Sequence, residues 1–196
     1  NETLVGIDVR PKDGMLYGLT SNARLVTIDP ATGAATFKTT LAADNADTSA
    51  PYAGMQGTAF AVDFNPVADR LRGISDSGQS LRINVDTGAT TTDGAINRAG
   101  VAPRVVAAAY TNNIPNAAST QLLDIDGASS VLALQNPPND GTLVDVGPLG
   151  LTVANDGGMD IGGGENGLVL AAVRTTAGGP GWLYRGGLGT GGRTPP

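Results

Sequence analysis

Three aspartates stand at matching places along the chain, and their side chains are the ones best suited to chemistry. Asp8, Asp63 and Asp160 each lie between two apolar residues on a predicted first strand of a repeated unit. If these strands line a channel, the three carboxylates converge, and carboxylate oxygens are ligands that Ca²⁺ prefers. Alternatively, each aspartate accepts hydrogen bonds from the backbone of its own inter-strand turn. Recurrence in several units favours this structural role.

The composition excludes several classes of enzyme chemistry. The 196 residues include no His and no Cys, which excludes catalytic triads, histidine acid–base catalysis, the usual zinc sites and iron–sulfur clusters. Paired carboxylates could hydrolyse glycosidic bonds, but the single Trp, four Tyr and three Phe are scattered through separate units. We therefore predict that the chain is not an enzyme and has no cofactor other than Ca²⁺ at the three aspartates.

The charge balance also excludes a class of partners. Twelve basic and eighteen acidic residues give a net charge of -6, which repels phosphate backbones. Arg70, Arg72 and Arg82 form the densest basic group, which is too small for a nucleic-acid groove. No apolar run approaches the ~18 residues of a membrane-spanning helix, so no such segment is predicted.

Two short motifs have weaker interpretations. Asn1-Glu2-Thr3 fits the Asn-x-Thr pattern of a glycan acceptor, which makes Asn1 a candidate for an attached glycan. The run from Asp124 to Ser129 resembles the opening of a calcium loop. It lacks the third acid and the distal Glu of such a loop, so a glycine-containing hairpin turn explains it better.

An internal repeat determines the predicted fold class. Residues Val5–Ala35 align without a gap on Phe60–Thr90 at an offset of 55 positions, with Gly33 falling on Gly88. Each copy reads as short alternating strands separated by Asp- and Gly-containing turns, and two more degenerate copies follow. Units of this length are typical of propeller blades. The prediction is a single all-β domain, a small β-propeller of about four four-stranded repeats (roughly 4–58, 59–103, 104–150 and 151–196).

The last repeat is predicted to be incomplete. After Leu188 the chain continues as GTGGRTPP, and Gly and Pro weaken or forbid pairing in a strand interior. Three outcomes remain open. Residues such as Asn1–Leu4 complete the blade within one chain, a neighbouring subunit supplies the strand, or the glycine-rich tail serves as a poor edge strand.

Three runs carry a resemblance to a known family: LVGIDVRPKDGMLYGLTS, GTAFAVDFNPVADRLRGISDSGQSLRINVDTGAT and NPPNDGTLVDVGPLG. They resemble the bacterial family called domain of unknown function 4394, well over roughly Leu4–Gly150 and poorly over the last unit. The resemblance implies an exported β-propeller-like protein. It implies no assigned reaction and no catalytic residues.

These observations predict a non-enzymatic exported protein, extracellular or at the cell surface. We expect it to be a self-assembling subunit of a filament or surface layer, joined to copies of itself by β-strand pairing. The candidate self-assembly residues are Asn1, Glu2, Thr3, Leu4, Val5 and Leu188. The alternative is a monomeric propeller that binds a cation or small ligand through its channel carboxylates.

Overall fold

The structure is a computed structural model that describes residues 1–164, 168–187 and the backbone of 193–194. It is built from four small sheets arranged as a four-bladed β-propeller, which confirms the predicted fold class. In each sheet four consecutive strands follow one another in antiparallel order from the centre outwards, because short turns join them, and one sheet has a fifth strand at its outer edge. Among the described residues, no helix is long and apolar enough to cross a membrane.

Blades 1 and 2 are the two copies of the clearest repeat. Blade 1 contains β1 (Leu4–Val9), β2 (Leu16–Thr20), β3 (Arg24–Ile28) and β4 (Ala35–Thr40). The next strand is β5 (Ala42–Ala43), and blade 2 continues with β6 (Phe60–Asn65), β7 (Arg70–Ser75), β8 (Ser80–Ile83) and β9 (Ala89–Thr92). β5 belongs to the first predicted repeat (roughly 4–58) but pairs in parallel with β9, so it forms the outer edge of blade 2.

Blades 3 and 4 follow the same plan. Blade 3 contains β10 (Val105–Tyr110), β11 (Leu122–Asp126), β12 (Val131–Gln135) and β13 (Leu143–Pro148), with a short 3-10 helix at Pro138–Asp140. Blade 4 contains β14 (Gly157–Gly162), β15 (Leu168–Arg174), β16 (Gly181–Gly186) and β17 (Arg193–Thr194). β17 belongs to the glycine-rich tail and pairs with only two residues of β16. The edge strand that the structure describes is thus Arg193–Thr194, just after the GTGG run that is predicted to serve as a poor edge strand; that run lies outside the described residues.

Apolar layers hold neighbouring blades together. Between blades 1 and 2, the rings of Tyr17 and Phe64 meet edge to face with centroids 5.4 Å apart. Tyr110 and Ile74 lie in the layer between blades 2 and 3. Burial of such side chains is the main driving force for stacking the blades.

The seam between the first and last blades is different. β1 packs on β6, β6 on β10 and β10 on β14, but β1 and β14 make at most marginal contact. The face of blade 1 that points away from blade 2 therefore stays accessible: Ile7 is 52% exposed and Phe37 is 53% exposed. Blade 4 also leaves Leu168 and Leu183 exposed.

Candidate functional site

The three predicted aspartates come together at the centre of the propeller. Asp8 lies on β1, Asp63 on β6 and Asp160 on β14, which are the innermost strands of three different blades. One oxygen from each carboxylate lies within 4.8 Å of the others. Asp63 is buried, Asp8 is half-buried and Asp160 is exposed. The fold thus brings together side chains that are 55 and 97 positions apart in the sequence.

Two of the aspartates also connect neighbouring blades. The backbone N–H of Phe64 in blade 2 donates to Asp8 Oδ2 (2.7 Å), and the N–H of Tyr110 in blade 3 donates to Asp63 Oδ1 (3.0 Å). Asp8 Oδ1 also accepts from the N–H of Val9 (2.7 Å). The prediction that each aspartate accepts hydrogen bonds from its own turn was therefore wrong about the donor. These bonds reach mainly the first strand of the next blade, not the aspartate's own turn.

Blade 3 has no aspartate at the position that matches Asp8 and Asp63. Asp63 immediately precedes Phe64, whose N–H donates to Asp8 of blade 1. The residue that precedes Tyr110 is Ala109. Ala109 is fully buried and has no side-chain acceptor. The cluster therefore has three acids from a ring of four blades.

Burial and mutual repulsion perturb the protonation of this cluster. Burial raises the pKa of Asp8 from 3.8 to about 7; its two backbone hydrogen bonds oppose the rise, and Asp160 adds to it. Burial, followed by the charges of Asp8 and Asp160, raises the pKa of Asp63 well above its usual range. Near neutral pH, Asp8 and Asp63 therefore either keep a proton or need a neighbouring cation.

The spacing of the oxygens is compatible with one ion. Ca²⁺ binds oxygen at 2.3–2.6 Å, so two ligands on opposite sides of the ion are separated by at most about 5 Å. The three carboxylate oxygens satisfy that limit. Backbone bonds occupy one oxygen of Asp63 and both oxygens of Asp8, but a carboxylate oxygen has a second lone pair for a metal.

The predicted self-assembly residues at the N-terminus are held on blade 1. Leu4 and Val5 are part of β1, and Thr3 exchanges hydrogen bonds with Ser21. Glu2 accepts from Thr20 Oγ1 (2.6 Å) and pairs with an arginine of β3 (3.0 Å). Asn1 is exposed. Donation of this segment to another copy would require β1 to leave its own sheet. Leu188 lies outside the described residues.

Among the described residues, the outer edge of blade 4 is open over residues 181–183. β17 pairs with Arg185 and Gly186 of β16. Residues 181–183 of β16 have no described strand beside them on that side. Trp182 is 55% exposed and Leu183 is 50% exposed. A free strand edge with apolar side chains and no Lys or Pro is a template for another strand.

A buried acid whose burial the sequence pattern does not indicate lies between blades 2 and 3. Asp124 on β11 is fully buried, and neither carboxylate oxygen has a hydrogen-bond partner among the described residues. Burial raises its pKa to about 8, with the charge of Arg72 opposing the rise and that of Asp126 adding to it. The motif had been interpreted as a hairpin, and the chain does turn at Gly127 between β11 and β12. An alternating strand pattern does not indicate which polar residue faces a neighbouring blade.

Arg72 occupies the same interface, although the sequence analysis treated it as part of a small basic group. Its guanidinium is buried and donates to Asp93 (2.5 Å), Ser80 (3.0 Å), Tyr110 (3.2 Å) and Asn139 (2.9 Å). The last two partners belong to blade 3. Arg72 therefore joins two blades.

Comparison with known proteins identifies the family. The family model described as Domain of unknown function (DUF4394) matches residues 1–195. The chain therefore belongs to this family, over its whole length and not only over the part that carries the resemblance. A search of curated proteins finds no match.

Proposed function

We propose that this DUF4394 member is a non-enzymatic, exported structural subunit. Copies join head to tail when the outer edge of blade 4 in one copy pairs with the outer strand of blade 1 in the next. The observation that carries the proposal is the edge of β16 over residues 181–183, which has no strand beside it among the described residues. Main-chain hydrogen bonds along such an edge supply affinity, and the side chains that flank it set the register.

The partner strand in this arrangement is β4. It is the end strand of the blade 1 sheet, is six residues long and is mostly exposed. Phe37 at its centre is 53% exposed, comparable to Trp182 and Leu183 on β16. Pairing the two edges buries these side chains against one another, which is favourable by roughly 25 cal/mol per Å² of apolar surface.

The two edges are different surfaces, and that difference determines the kind of assembly. A contact between unlike surfaces is heterologous, so it leaves a free β4 at one end and a free β16 at the other. Such contacts give a ring when the rotation closes and a helical filament when it does not. The exposed apolar faces of Ile7 and Leu168 at the seam add area to the contact between copies.

The experiment is electron microscopy with light scattering on the untagged protein and three variants. Leu183→Lys and Phe37→Lys place a charge on each proposed edge, a substitution that blocks edge pairing. Val101→Lys is the matched control, because Val101 is 62% exposed in a loop away from both edges. We expect the wild type and the control to assemble and both edge variants to remain monomeric.

Two results would overturn the proposal. One is a wild-type protein that stays monomeric at high concentration. The other is assembly of both edge variants to the same extent as the control. Export is tested separately by fractionating the producing cells and locating the protein with an antibody; retention in the cytoplasm contradicts that part of the proposal.

A second candidate function is cation binding by Asp8, Asp63 and Asp160. The specific observation in its favour is that carboxylate oxygens from three blades lie within 4.8 Å of one another. A cation there would offset the burial and the repulsion from Asp8 and Asp160 that together raise the pKa of Asp63. It would also stabilise the ring, because a ligand that binds only the folded state adds about 2.7 kcal/mol at a hundred times its dissociation constant.

The test of this second function is a thermal melt in Ca²⁺ at pH 7.5. We expect a rise in melting temperature for the wild type, and loss of that rise in Asp160→Asn, which changes the exposed member of the cluster. The control is Asp156→Asn, an exposed acid of the same blade. Equal melting temperatures with and without Ca²⁺ would remove this function.

A further inference from the structure

A cavity of about 340 Å³ opens at one end of the propeller between blades 2 and 3. The turn after β6 forms one wall, and the chain segments that precede β11 and follow β12 form the others. Its volume is within the range of 300–1,000 Å³ that is usual for small-ligand pockets. None of the three aspartates and no residue of β4 or β16 lines the cavity, although its lining residue Tyr110 donates its N–H to Asp63.

Gln135 supplies an unused acceptor in this cavity. The residue is 1% exposed, and its Nε2 donates to the backbone carbonyl of Pro138 at 2.5 Å. Because that carbonyl can only accept, the amide nitrogen must face it, and the amide oxygen faces the other way. Oε1 has no hydrogen-bond partner among the described residues. A buried acceptor of this kind is costly to leave unpaired, so the site favours a ligand that donates a hydrogen bond.

The remaining lining has polar and apolar parts and carries no charge. Asn65, Ser119, Thr120, Gln121 and Asn136 surround the cavity with amide and hydroxyl groups. Val67, Leu134 and Pro138 add an apolar wall. No acidic or basic side chain lines this cavity in the described part of the chain.

We propose that this cavity binds one unit of a neutral saccharide, with a hydroxyl of the sugar donating to Gln135 Oε1. A sugar ring presents several hydroxyls that both donate and accept, which suits a lining of amides and hydroxyls. Its C–H face suits the apolar wall. The uncharged lining provides no counter-ion, so phosphorylated or carboxylated sugars are excluded by the cost of desolvating their charge.

The probes are D-glucose and N-acetyl-D-glucosamine, with glucose 6-phosphate and glucuronate as charged counterparts. Ligand-observed NMR on the full chain reports binding in the millimolar range. Val67→Trp fills the cavity mouth without disturbing a packed position, since Val67 is 50% exposed. Val101→Trp, at a 62% exposed site away from the cavity, is the matched control. Gln135→Met removes the acceptor at similar side-chain length.

We expect saturable binding of at least one neutral sugar by the wild type and by Val101→Trp. We expect binding to fall at least tenfold in Val67→Trp and in Gln135→Met. Circular dichroism establishes that each variant is folded, and Val67→Trp alone decides the outcome if Gln135→Met does not fold. Absence of saturable binding by either neutral sugar overturns the proposal. Equal binding of the charged counterparts, or unchanged binding in Val67→Trp, also overturns it.

Discussion

Asp124 should make the protein less stable as the pH rises, and Asp124→Asn should remove the part of that dependence that Asp124 causes. The carboxyl group is fully buried between blades 2 and 3, and neither oxygen has a hydrogen-bond partner among the described residues. Burial raises its pKa from 3.8 to about 8. The folded chain therefore keeps a proton that the unfolded chain loses above pH 3.8, so stability decreases with rising pH across this interval.

The size of the effect follows from the pKa. Each pH unit between 3.8 and 7 costs about 1.4 kcal/mol, which amounts to about 4 kcal/mol at pH 7 and less than about 1 kcal/mol at pH 4. Asparagine does not titrate, but its amide brings N–H donors into the same buried site at a cost of about 1–2 kcal/mol. Relative to the wild type, Asp124→Asn should therefore be destabilising by about 1–2 kcal/mol at pH 4 and stabilising by about 2 kcal/mol at pH 7.

Urea unfolding followed by far-ultraviolet circular dichroism, from pH 4 to pH 8, measures this difference. Circular dichroism is preferable to fluorescence because the one Trp of the sequence is 55% exposed and reports poorly on folding. Asp156→Asn is the control: it removes an exposed carboxylate paired with Arg174 at 2.5 Å. That surface pair is worth at most about 1 kcal/mol.

One result would refute the reasoning about Asp124. If Asp124→Asn changes the free energy of unfolding by the same amount at pH 4 and at pH 7, the carboxyl group loses its proton over the same pH range in the folded and the unfolded protein, and burial does not raise its pKa. A parallel change in Asp156→Asn would instead assign the pH dependence to the surface.

Two further predictions concern contacts between blades. Arg72→Met should destabilise the protein by about 3–5 kcal/mol. Among the described residues it leaves the buried Asp93 carboxylate with only the partly exposed Arg82 as an ion-pair partner. Urea unfolding measures the loss, and a change below about 1 kcal/mol contradicts the stabilising role of the Arg72–Asp93 pair. Gly88→Ala should destabilise the protein far more than Gly33→Ala at the equivalent repeat position. Both glycines have positive φ. An added Cβ would approach the Thr40 carbonyl oxygen to 2.2 Å at Gly88, but it would meet nothing within 4 Å at Gly33. We expect about 1 kcal/mol at Gly33 and at least twice that at Gly88 by thermal melts, and equal losses would be inconsistent with the close approach.

Local patterns were enough to predict the architecture. Alternating apolar residues and Asp- and Gly-rich turns are properties of neighbouring residues, and they specify hairpins and antiparallel sheets. The offset of 55 positions between Asp8 and Asp63 then placed both on the same strand of consecutive blades. Their convergence with Asp160 follows from this equivalence once the blades are arranged around one axis.

Contacts across the interfaces could not be predicted in this way. Nothing near Asp8 in the sequence indicates that it accepts the N–H of Phe64 in the next blade. The repeat makes Gly33 and Gly88 equivalent, but only Gly88 lies against the end of β4. β5 leaves the sheet of its own repeat and pairs with β9. In each case the partner belongs to a different repeat or a different sheet.

The division has a physical reason. Backbone conformation and the alternation of apolar and polar residues depend on interactions over a few residues, so the local sequence determines them. Burial of Asp124, the unused acceptor of Gln135 and the open edge of β16 depend on how whole sheets stack. That stacking is set by the sum of many weak contacts between residues far apart in the chain.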